Sequence, residues 1–527
     1  MNDGDVASAM ATRLRHHGAT TVFAALDPGG PGLTARLEDA GIAVVRTLHD
    51  QTAVFAADAW AKVTRRPGVA VVRGRTGLPN AVTGAANAAA GGSPLVIVDD
   101  RAGGGPLDGV DHLAMVGPIT RAAAAVAGAD LPAALDWACA AALRAPRGPV
   151  LVEVDGPRPG PVPAGEPGRP EPDKAALEHI AELLATAERP LVVAGGNVYW
   201  AGAEQALRRF AEAARIPVVT NGLGRGTLPA DHELALSRAR PGALREADLV
   251  LVAGTPLDFR LGYGRFASAR VVHLAEDVTQ LATHVETAAA AAGDLAVILD
   301  RLAAGASPVP TQQLWTDRIT ADEAALRAAE EAGGLGADPA APLRPPALYR
   351  ELRHRLARDA VVIGDGGDFV SYAGRFVDTY TPGCFLDPGP YGCLGIGLGS
   401  AIGARAALPD RPVVVLLGDG AAGFSLMEFE TLVRYRLPAV IIVGNNDGWG
   451  LEKEHMWALY GYHVVAELAP GTRYHDVAAG LGGHGELVRS AAELGPALER
   501  ALACGGPALV NVALDPADVY PRSTVLA

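Results

Sequence analysis

The sequence predicts an α/β protein made of three doubly wound, parallel-sheet domains in series. Its 527 residues exceed what one hydrophobic core usually organises. Two stretches rich in Pro and Gly interrupt the chain and predict linkers: Asp155–Lys174, with seven prolines, and Glu331–Pro346. The blocks between them, 1–155, 175–330 and 345–527, are expected to be an N-terminal, a middle and a C-terminal domain.

Each block alternates short apolar runs with amphipathic helical patterns. Runs of β-branched and aliphatic residues with helices between them are typical of strands buried on both faces of a parallel sheet. In chain order the runs are Val22–Leu26, Ala43–Leu48, Gly68–Val72 and Leu95–Val98 in the first block, Pro190–Ala194, Pro217–Thr220, Leu249–Val252 and Val271–Leu274 in the second, and Val361–Ile363, Val413–Leu417, Ala439–Val443 and Ala508–Val512 in the third.

The composition indicates a soluble globular protein. Hydrophobic residues make up 49% and charged residues 20% of the chain, and mean hydropathy is +0.17. Charge, Gly or Pro breaks every apolar stretch before 18 residues, so we expect no membrane span. The acidic start, Met-Asn-Asp-Gly-Asp, does not resemble a secretory signal.

Charge and cysteine content narrow the function classes further. A net charge of −14 argues against binding to nucleic acid, which needs a basic surface. The four cysteines lack CxxC spacing, so buried, reduced thiols and a cytoplasmic location are expected.

The most informative segment is Val413–Gly450, where two predicted strands end in polar residues. One strand ends in Gly418-Asp419-Gly420, and the next leads into Asn445-Asn446-Asp447-Gly448. Between them we predict a helix that begins at Ser425, with Glu428 as its capping-box partner. A right-handed crossover brings both strand ends to the same edge of the sheet, where open α/β folds bind ligands.

These residue types predict a site for Mg²⁺ and an anion. The carboxylate of Asp419 and the amide oxygen of Asn446 are hard oxygen ligands, which Mg²⁺ combines with substrate phosphate and water. The backbone amides of Gly420 and Ala421, at the start of the helix, could add an anion-binding turn. The motifs Gly418-Asp419-Gly420 and Asn445-Asn446 are each common in turns. Because they lie 24 residues apart and both at strand ends, together they favour the metal site.

GDG followed after 24 residues by NN resembles the metal–diphosphate motif of thiamine diphosphate-dependent enzymes. The three-block layout is similar to the acetolactate synthase and pyruvate decarboxylase superfamily over nearly the whole chain. The resemblance implies pyrimidine-binding, middle and diphosphate-binding domains in that order, with thiamine diphosphate and Mg²⁺ as cofactors. It implies that Mg²⁺ is bound by Asp419, Asn446 and the carbonyl of Gly448, and that the diphosphate is bordered by Gly418, Gly420 and Ala421.

Further upstream, Gly389–Ala404 resembles the family stretch that holds the aminopyrimidine ring. The resemblance implies that the carbonyl of Gly392 accepts a hydrogen bond from the 4′-amino group and that Leu394 bends the cofactor. Asp368 and Phe369 correspond to positions that flank the diphosphate, with a plain loop role as the alternative.

The N-terminal block carries a departure from the family pattern. Thr47–Val69 is similar to the segment in which relatives place a glutamate against N1′ of the pyrimidine from the partner subunit, and here Asp50 occupies that position. An aspartate can exchange a proton but is one methylene shorter, and a misplacement of about 1 Å can cost roughly 100-fold in rate. The alternative is that Asp50 is the N-cap of the helix Gln51–Thr64. Gly74–Gly84 resembles a family turn, with Thr76 in place of proline.

Glu452 lies four residues after Gly448, where several relatives carry an acid that faces the substrate. A carboxylate in an enclosed pocket suits a general acid–base. The alternative is a solvated residue, because Lys453 and Glu454 continue a charged run. Tyr460 and Tyr462 are candidates for a substrate channel or for core packing.

Within the superfamily the C-terminal block resembles the 2-hydroxyacyl-CoA lyase and oxalyl-CoA decarboxylase branch more than acetolactate synthase proper. The motifs are GDGGDFVSYAGRF (Gly364–Phe376), DPGPYGCLG (Asp387–Gly395), GWGLEKEHM (Gly448–Met456) and DPADVYPRS (Asp515–Ser523). In that branch the tail, here Val519–Ala527, folds over the site. The middle domain binds flavin in some relatives and an adenine nucleotide in others, so CoA, ADP or an empty site is expected near Ala194–Gly196 and His273–Asp277.

The expected function is a carbon–carbon lyase or carboligase that acts on a 2-hydroxyacyl-CoA, giving an aldehyde or ketone plus formyl-CoA, or the reverse condensation. The alternatives are an acetolactate synthase-like enzyme or 2-oxoacid decarboxylase, and a weakly catalytic cofactor-binding homologue, which Asp50 motivates. A nicotinamide dehydrogenase is excluded for want of a strand-linked GxGxxG. The substrate is therefore an acyl-CoA, an aldehyde or a 2-oxoacid. Because the pyrimidine and diphosphate sites meet across subunits in the family, a homodimer is the minimum and a homotetramer is expected.

Overall fold

A computed structural model describes residues 3–25, 32–101, 110–154, 160–162, 171–333, 343–518 and Tyr520. It contains three six-stranded sheets, and every strand pairing within them is parallel. The predicted fold class is therefore confirmed. The strands come from residues 21–154, 190–292 and 361–513, whereas the domain boundaries drawn at the two linkers stay predictions, since most linker residues lie outside the described ranges.

The helices and strands follow one another in each block as the alternation predicts. The first block contains α1 (Asp3–His16), β1 (Thr21–Ala24), α2 (Leu33–Asp39), β2 (Ala43–Arg46), α3 (Asp50–Thr64), β3 (Gly68–Arg73), α4 (Gly74–Gly91), β4 (Leu95–Asp100), α5 (His112–Val116), β5 (Ala122–Val126), α6 (Leu131–Leu143) and β6 (Pro149–Val154).

The second block contains α7 (Lys174–Thr186), β7 (Pro190–Ala194), α8 (Gly196–Trp200), α9 (Glu204–Ala214), β8 (Val218–Thr220), β9 (Ala235–Leu236), α10 (Arg240–Glu246), β10 (Leu249–Ala253), β11 (Arg270–Ala275), β12 (Ala289–Ala292), α11 (Leu295–Ala304) and α12 (Pro310–Ala332). The third contains α13 (Pro345–Arg353), β13 (Val361–Asp365), α14 (Asp368–Phe376), β14 (Phe385–Leu386), α15 (Ile396–Ala407), β15 (Val413–Gly418), α16 (Asp419–Ser425), α17 (Phe429–Arg434), β16 (Val440–Asn445), α18 (Gly450–Tyr460), α19 (Tyr474–Gly480), β17 (His484–Val488), α20 (Ala491–Ala503) and β18 (Ala508–Ala513).

The strand orders place the ligand-binding edge of each sheet. The first and third sheets share one order, β2-β1-β3-β4-β6-β5 and β14-β13-β15-β16-β18-β17, and the middle sheet runs β12-β11-β10-β7-β8-β9. In each sheet the order reverses direction between two central strands, and open α/β sheets bind ligands outside the carboxyl ends of such strands. These switch points lie at β1 and β3, β7 and β10, and β13 and β15.

All twelve predicted apolar runs overlap observed strands, but the predicted helix start at Ser425 is wrong. Helix α16 begins at Asp419, directly after β15, and Ser425 is its last residue. Leu426–Glu428 form a short 3-10 turn before α17. Ser425 and Glu428 precede the turn and α17 as N-cap residues, but neither side chain makes a capping hydrogen bond.

The expectations of no membrane span and of buried, reduced cysteines can also be compared with the structure. None of the helices among the described residues is long and apolar enough to cross a bilayer. All four cysteines are free thiols, but only Cys139 and Cys384 are buried; Cys393 is half-buried and Cys504 is exposed.

The first and third domains are joined by the packing of α3 against α15, the most extensive helix–helix contact among the described residues. The two helices approach so closely that a Cβ at Gly403 would lie 1.9 Å from the carbonyl oxygen of Ala56. A Cβ at Gly399 would lie 2.8 Å from the Cβ of Phe55. The glycines of α15 therefore fix how the helix that begins at Asp50 sits on the C-terminal domain.

Gly403→Ala is expected to destabilise the protein by about 2–3 kcal/mol, because the added methyl must push the two helices apart. Gly423→Ala is the matched control, since a Cβ at this exposed helical glycine meets no atom within 4 Å. That control is expected to be neutral or slightly stabilising. Thermal and urea unfolding of both variants test the difference, and equal stabilities would contradict the close packing.

Candidate active site

The centre of the candidate site is the carboxylate of Asp419, which three backbone amides hold. Asp419 begins α16, and its Oδ1 accepts a hydrogen bond from the amide of Gly420 at 2.8 Å. Its Oδ2 accepts from the amides of Asn446 and Gly448, each at 3.1 Å. These contacts follow from the parallel register of β15 and β16, which sets Gly418 beside Gly444 and brings the two strand ends together.

Burial of this carboxylate has an electrostatic consequence. Asp419 is 3% exposed, and burial raises its pKa to about 6, although the three amide hydrogen bonds lower it. The backbone amide of Gly420, which we expected to bind an anion, donates its hydrogen bond to Asp419 instead.

The side-chain amide of Asn446 lies beside this carboxylate. One of its terminal atoms is 3.3 Å from Asp419 Oδ2 and 2.9 Å from the carbonyl oxygen of Gly448, and hydrogen bonding places the nitrogen there, donating to both oxygens. A half-turn of the amide would set its oxygen beside the other two, where all three could bind one cation. The donor set is therefore the hard, oxygen-only kind that suits Mg²⁺.

A cavity of about 250 Å³ lies over this edge of the sheet. It brings together every site residue that the sequence predicted in the C-terminal block, although their roles stay predictions. The predicted residues that line it are Asp368, Phe369, Gly392, Leu394, Gly418, Asp419, Gly420, Ala421, Asn446, Gly448 and Glu452.

Two aromatic rings shape the floor of this cavity, and one of them was not predicted. The ring of Phe369 would lie 2.6 Å from a Cβ at Gly444, and the indole of Trp449 would lie 2.6 Å from a Cβ at Gly420. Glycine at both positions therefore lets a ring cover the backbone. In the motif Gly448-Trp449-Gly450, the only sequence signal for Trp449 is its position directly after the Asn445–Gly448 segment.

Asp365 is a second buried carboxylate that the sequence analysis missed. It ends β13, next to β15 at the switch point, and it is fully buried. Its two oxygens accept hydrogen bonds from the amides of Gly395, at 3.1 Å, and Gly397, at 2.7 Å. Asp365 thus anchors the segment that carries Gly392 and Leu394 to the same sheet edge as Asp419. Burial raises its pKa to about 7, against the effect of these hydrogen bonds.

Asp368 binds the tail of the chain. Its carboxylate accepts from the amide of Tyr520 at 3.1 and 3.2 Å, and the ring of Tyr520 packs edge-on against Tyr372, 4.9 Å between centroids. The remaining residues of the predicted covering tail, Val519 and 521–527, lie outside the described part of the chain.

Glu452 sits at the rim of the cavity, in the first turn of α18, and its side chain is exposed. None of the residues of α18 is buried in the single chain. Tyr460 and Tyr462 are 65% and 59% exposed, so the core-packing alternative for them is wrong.

Asp50 lies apart from this cavity. It is the first residue of α3, and the N-cap is His49, whose Nδ1 accepts from the amide of Gln51 at 3.1 Å. The alternative in which Asp50 is the N-cap is therefore wrong. The carboxylate of Asp50 accepts from Asn80 Nδ2 at 3.1 Å and borders a small pocket at the switch point of the first sheet. Asn80 reaches it because Gly74–Gly84, expected as a turn, forms the start of helix α4.

The surroundings of Asp50 raise the pKa of its carboxyl group above the usual value. Burial raises its pKa, the hydrogen bond from Asn80 lowers it, and the negative charge of Asp99 raises it further. Asp99 lies beside Glu153 in the register of β4 and β6, and its Oδ2 is 2.6 Å from Nδ1 of His112. A carboxyl group in such surroundings can take up and release a proton closer to neutral pH than an exposed aspartate can.

The comparisons with known proteins now place the chain in a family. The N-terminal TPP binding domain of thiamine pyrophosphate enzymes matches residues 4–104, the central domain matches residues 177–302, and the C-terminal TPP binding domain matches residues 365–512. The chain therefore belongs to the thiamine pyrophosphate enzymes, and the superfamily predicted from GDG and NN is confirmed.

Relatives of two different names match nearly the full length. The chain is 46% identical to a probable acetolactate synthase of Mycobacterium bovis, over 98% of this chain and 97% of that protein. It is 32% identical to 2-hydroxyacyl-CoA lyase 2 of Caenorhabditis elegans and 30% identical to 2-hydroxyacyl-CoA lyase 2 of Homo sapiens, over 91% of this chain and 84% of each relative.

The buried carboxyl group of Asp365 is expected to make stability depend on pH. Its pKa rises on folding from 3.8 to about 7, so its contribution favours folding most below pH 3.8 and is lost as pH rises through 7. Asp365→Asn stays neutral at every pH. Between pH 5 and pH 8 its free energy of unfolding is therefore expected to rise relative to that of the wild type, by at most about 1.4 kcal/mol per pH unit.

Calorimetric unfolding of the cofactor-free proteins across this pH range measures the difference. Asp410→Asn, at an exposed position of the same domain, is the control and should follow the wild type. If the stabilities of the wild type and Asp365→Asn change with pH in parallel, the result would contradict the raised pKa of Asp365.

Proposed function

We propose that this thiamine pyrophosphate enzyme binds its cofactor through Mg²⁺ and uses it to break or form a carbon–carbon bond next to a carbonyl group. The observation that carries the proposal is the close approach of the Asp419 carboxylate, the Asn446 side-chain amide and the Gly448 carbonyl at the ends of β15 and β16. These residues would hold the metal ion, and the cavity beside them would take the diphosphate and thiazolium part of the cofactor.

The protein's own groups would bind, orient and move protons around the cofactor. The bound cofactor supplies a nucleophilic carbon and an electron sink. Asp365 would keep the Gly392–Leu394 segment against the pyrimidine by binding the amides of Gly395 and Gly397. Asp50 would exchange a proton with the pyrimidine, a task that its raised pKa suits. Glu452, at the cavity rim, would act as acid–base toward the substrate.

A second copy of the chain would complete the site. Asp50 does not line the cavity that contains Asp419, so a pyrimidine bound there would need an Asp50 from another copy. Large apolar side chains of residues 424–427 and 457–465, in the same domain, are exposed in the single chain and would be covered in a dimer. They are Phe424, Met427, Trp457, Leu459, Tyr460, Tyr462, Val464 and Val465. We propose a homodimer as the minimum assembly, with a homotetramer as the expected form.

The first candidate substrate is a 2-hydroxyacyl-CoA, cleaved to an aldehyde or ketone plus formyl-CoA, or formed in reverse. The C-terminal motifs and the relatives named 2-hydroxyacyl-CoA lyase 2 support it. So does a cavity of about 420 Å³ at the switch point of the middle sheet, bordered by Gly254, Arg147 and Arg260, which has room for part of a CoA or ADP molecule.

A 2-oxoacid is the second candidate substrate, with an acetolactate synthase-like condensation or a decarboxylation as the reaction. The 46% identity to proteins named acetolactate synthase favours it, because identity with the proteins named 2-hydroxyacyl-CoA lyase 2 is 32% at most among those compared. The two candidates differ in whether CoA and CO₂ take part.

One assay separates these candidates. Protein loaded with thiamine diphosphate and Mg²⁺ is given a panel of 2-hydroxyacyl-CoA thioesters and, separately, a panel of 2-oxoacids. Formyl-CoA and an aldehyde, lost on addition of EDTA, are the result expected from the first candidate. Release of CO₂ from a 2-oxoacid without CoA would move the function to the second. Bound cofactor with no turnover of either panel would favour the weakly catalytic homologue.

Substitution of Asp50 tests its proton transfer. Asp50→Asn is expected to slow hydrogen–deuterium exchange at C2 of the bound cofactor at least about 100-fold, since general acid–base groups contribute factors of this size. Asp50→Glu should keep or raise the rate, and a large rise would show that the shorter side chain attenuates the wild-type site. Asp39→Asn, at an exposed position of the same domain, is the control. An Asp50→Asn variant that exchanges as fast as the wild type would contradict the role.

A further inference from the structure

We propose that Glu428 is a positioning residue for Asp50: from the C-terminal domain, its carboxylate binds the backbone amides of Leu48 and His49, the two residues that precede Asp50 in the N-terminal domain. The inference rests on the proposed function, because it takes Asp50 to be the group that exchanges a proton with the cofactor. It concerns where the backbone of Asp50 lies rather than any contact of Glu428 with the cofactor.

The hydrogen bonds of Glu428 support this positioning role. Its Oε1 accepts from the backbone amides of Leu48, at 3.0 Å, and His49, at 3.1 Å. Its Oε2 lies 3.1 Å from the amide of Leu48 and accepts from the hydroxyl of Thr431 at 2.7 Å. Glu428 is 3% exposed, so the carboxylate is committed to these donors rather than to solvent.

Two neighbours of Glu428 hold the same segment one step further back. The hydroxyl of Tyr435 accepts from the amide of Arg46 at 2.9 Å, and the guanidinium of Arg434 donates to the carbonyl of Arg46 at 2.8 Å. We call Glu428, Thr431, Arg434 and Tyr435 the clasp. The clasp binds the chain from Arg46, the end of β2, to His49, so that Asp50 emerges from a fixed backbone.

The charge of Glu428 also suits its place. It lies at the start of the 15-residue helix α3, where the amides and the helix dipole favour an anion. The N-cap of this helix is His49, so the carboxylate of Asp50 does not act as a cap. Asp50 is thus held at two points, its backbone through Glu428 and its side chain through Asn80.

This arrangement matters because aspartate reaches less far than glutamate. A displacement of about 1 Å between a proton-transfer group and its target can cost roughly 100-fold in rate. A backbone held by buried, charge-assisted hydrogen bonds leaves little room for such displacement, and release of that backbone would allow it.

Glu428→Ala is expected to slow hydrogen–deuterium exchange at C2 of the bound cofactor by about 10- to 100-fold, with cofactor affinity little changed. Glu428→Gln keeps an oxygen for the amides of Leu48 and His49 and should stay within about threefold of the wild type. In the cofactor-free protein, amide exchange of the peptide that spans residues 46–52 should speed up in Glu428→Ala, measured by mass spectrometry.

Tyr199→Phe is the matched control outside the clasp. It removes the interdomain hydrogen bond from the hydroxyl of Tyr199 to the carbonyl of Lys62, near the far end of α3, and should lower thermal stability without slowing C2 exchange. Thr431→Val is a nearly isosteric second variant that frees one oxygen of Glu428, and it should slow C2 exchange severalfold. It provides the test if Glu428→Ala does not fold.

Asp50→Asn is measured beside these variants to separate the two hypotheses. If Asp50→Asn slows C2 exchange but Glu428→Ala and Thr431→Val do not, the positioning role is overturned and the proposed function stands. If Tyr199→Phe slows exchange as much as Glu428→Ala, the effect comes from general stability and the role is overturned as well. If Asp50→Asn itself exchanges like the wild type, the proposed function fails first.

Discussion

The structure of the candidate site depends on one buried carboxylate, that of Asp419, and on the amides that hold it. Those amides come from Gly420, at the end of one strand, and from Asn446 and Gly448, beyond the end of the next. Burying a carboxylate is costly, and the raised pKa of Asp419 reflects that cost. The carbonyl of Gly448 and the side-chain amide of Asn446 lie beside the same carboxylate, so a metal ion bound among the three groups would offset that cost.

Repetition of one strand order explains how the chain supplies two halves of a site. The first and third sheets share their topology, and each carries acidic residues at its switch point, Asp50 in one and Asp365 and Asp419 in the other. The packing of α3 on α15 and the hydrogen bonds of Glu428 tie these halves together within a chain, although their two cavities stay separate. Positioning and chemistry would thus be divided between domains. The C-terminal domain would position Asp50, and Asp50 would exchange a proton with a cofactor bound by another copy of the chain.

Local patterns predicted the fold class and brought Asp419 and Asn446 to one sheet edge, because polar residues at the ends of apolar runs meet wherever parallel strands pair. Other residues of the C-terminal cavity, such as Gly392 and Leu394, were predicted only from the resemblance to the family. The strand-end rule would also have found Asp365, two residues after the run Val361–Ile363. Strands such as β5 and β12 escaped prediction, since their alanines favour helix and only their place in the sheet makes them strands. Glu428 was assigned to a local capping box because its true partners, Leu48 and His49, lie about 380 residues away in sequence.

Isothermal titration of thiamine diphosphate into the metal-free protein tests the central claim most directly. The titration is run with Mg²⁺ and with EDTA, on the wild type and on Asp419→Ala. We predict that the wild type binds only with Mg²⁺ and that Asp419→Ala does not bind, since the ion joins the cofactor to the protein through this carboxylate. Binding of equal affinity with and without metal, or in both proteins, would contradict the account.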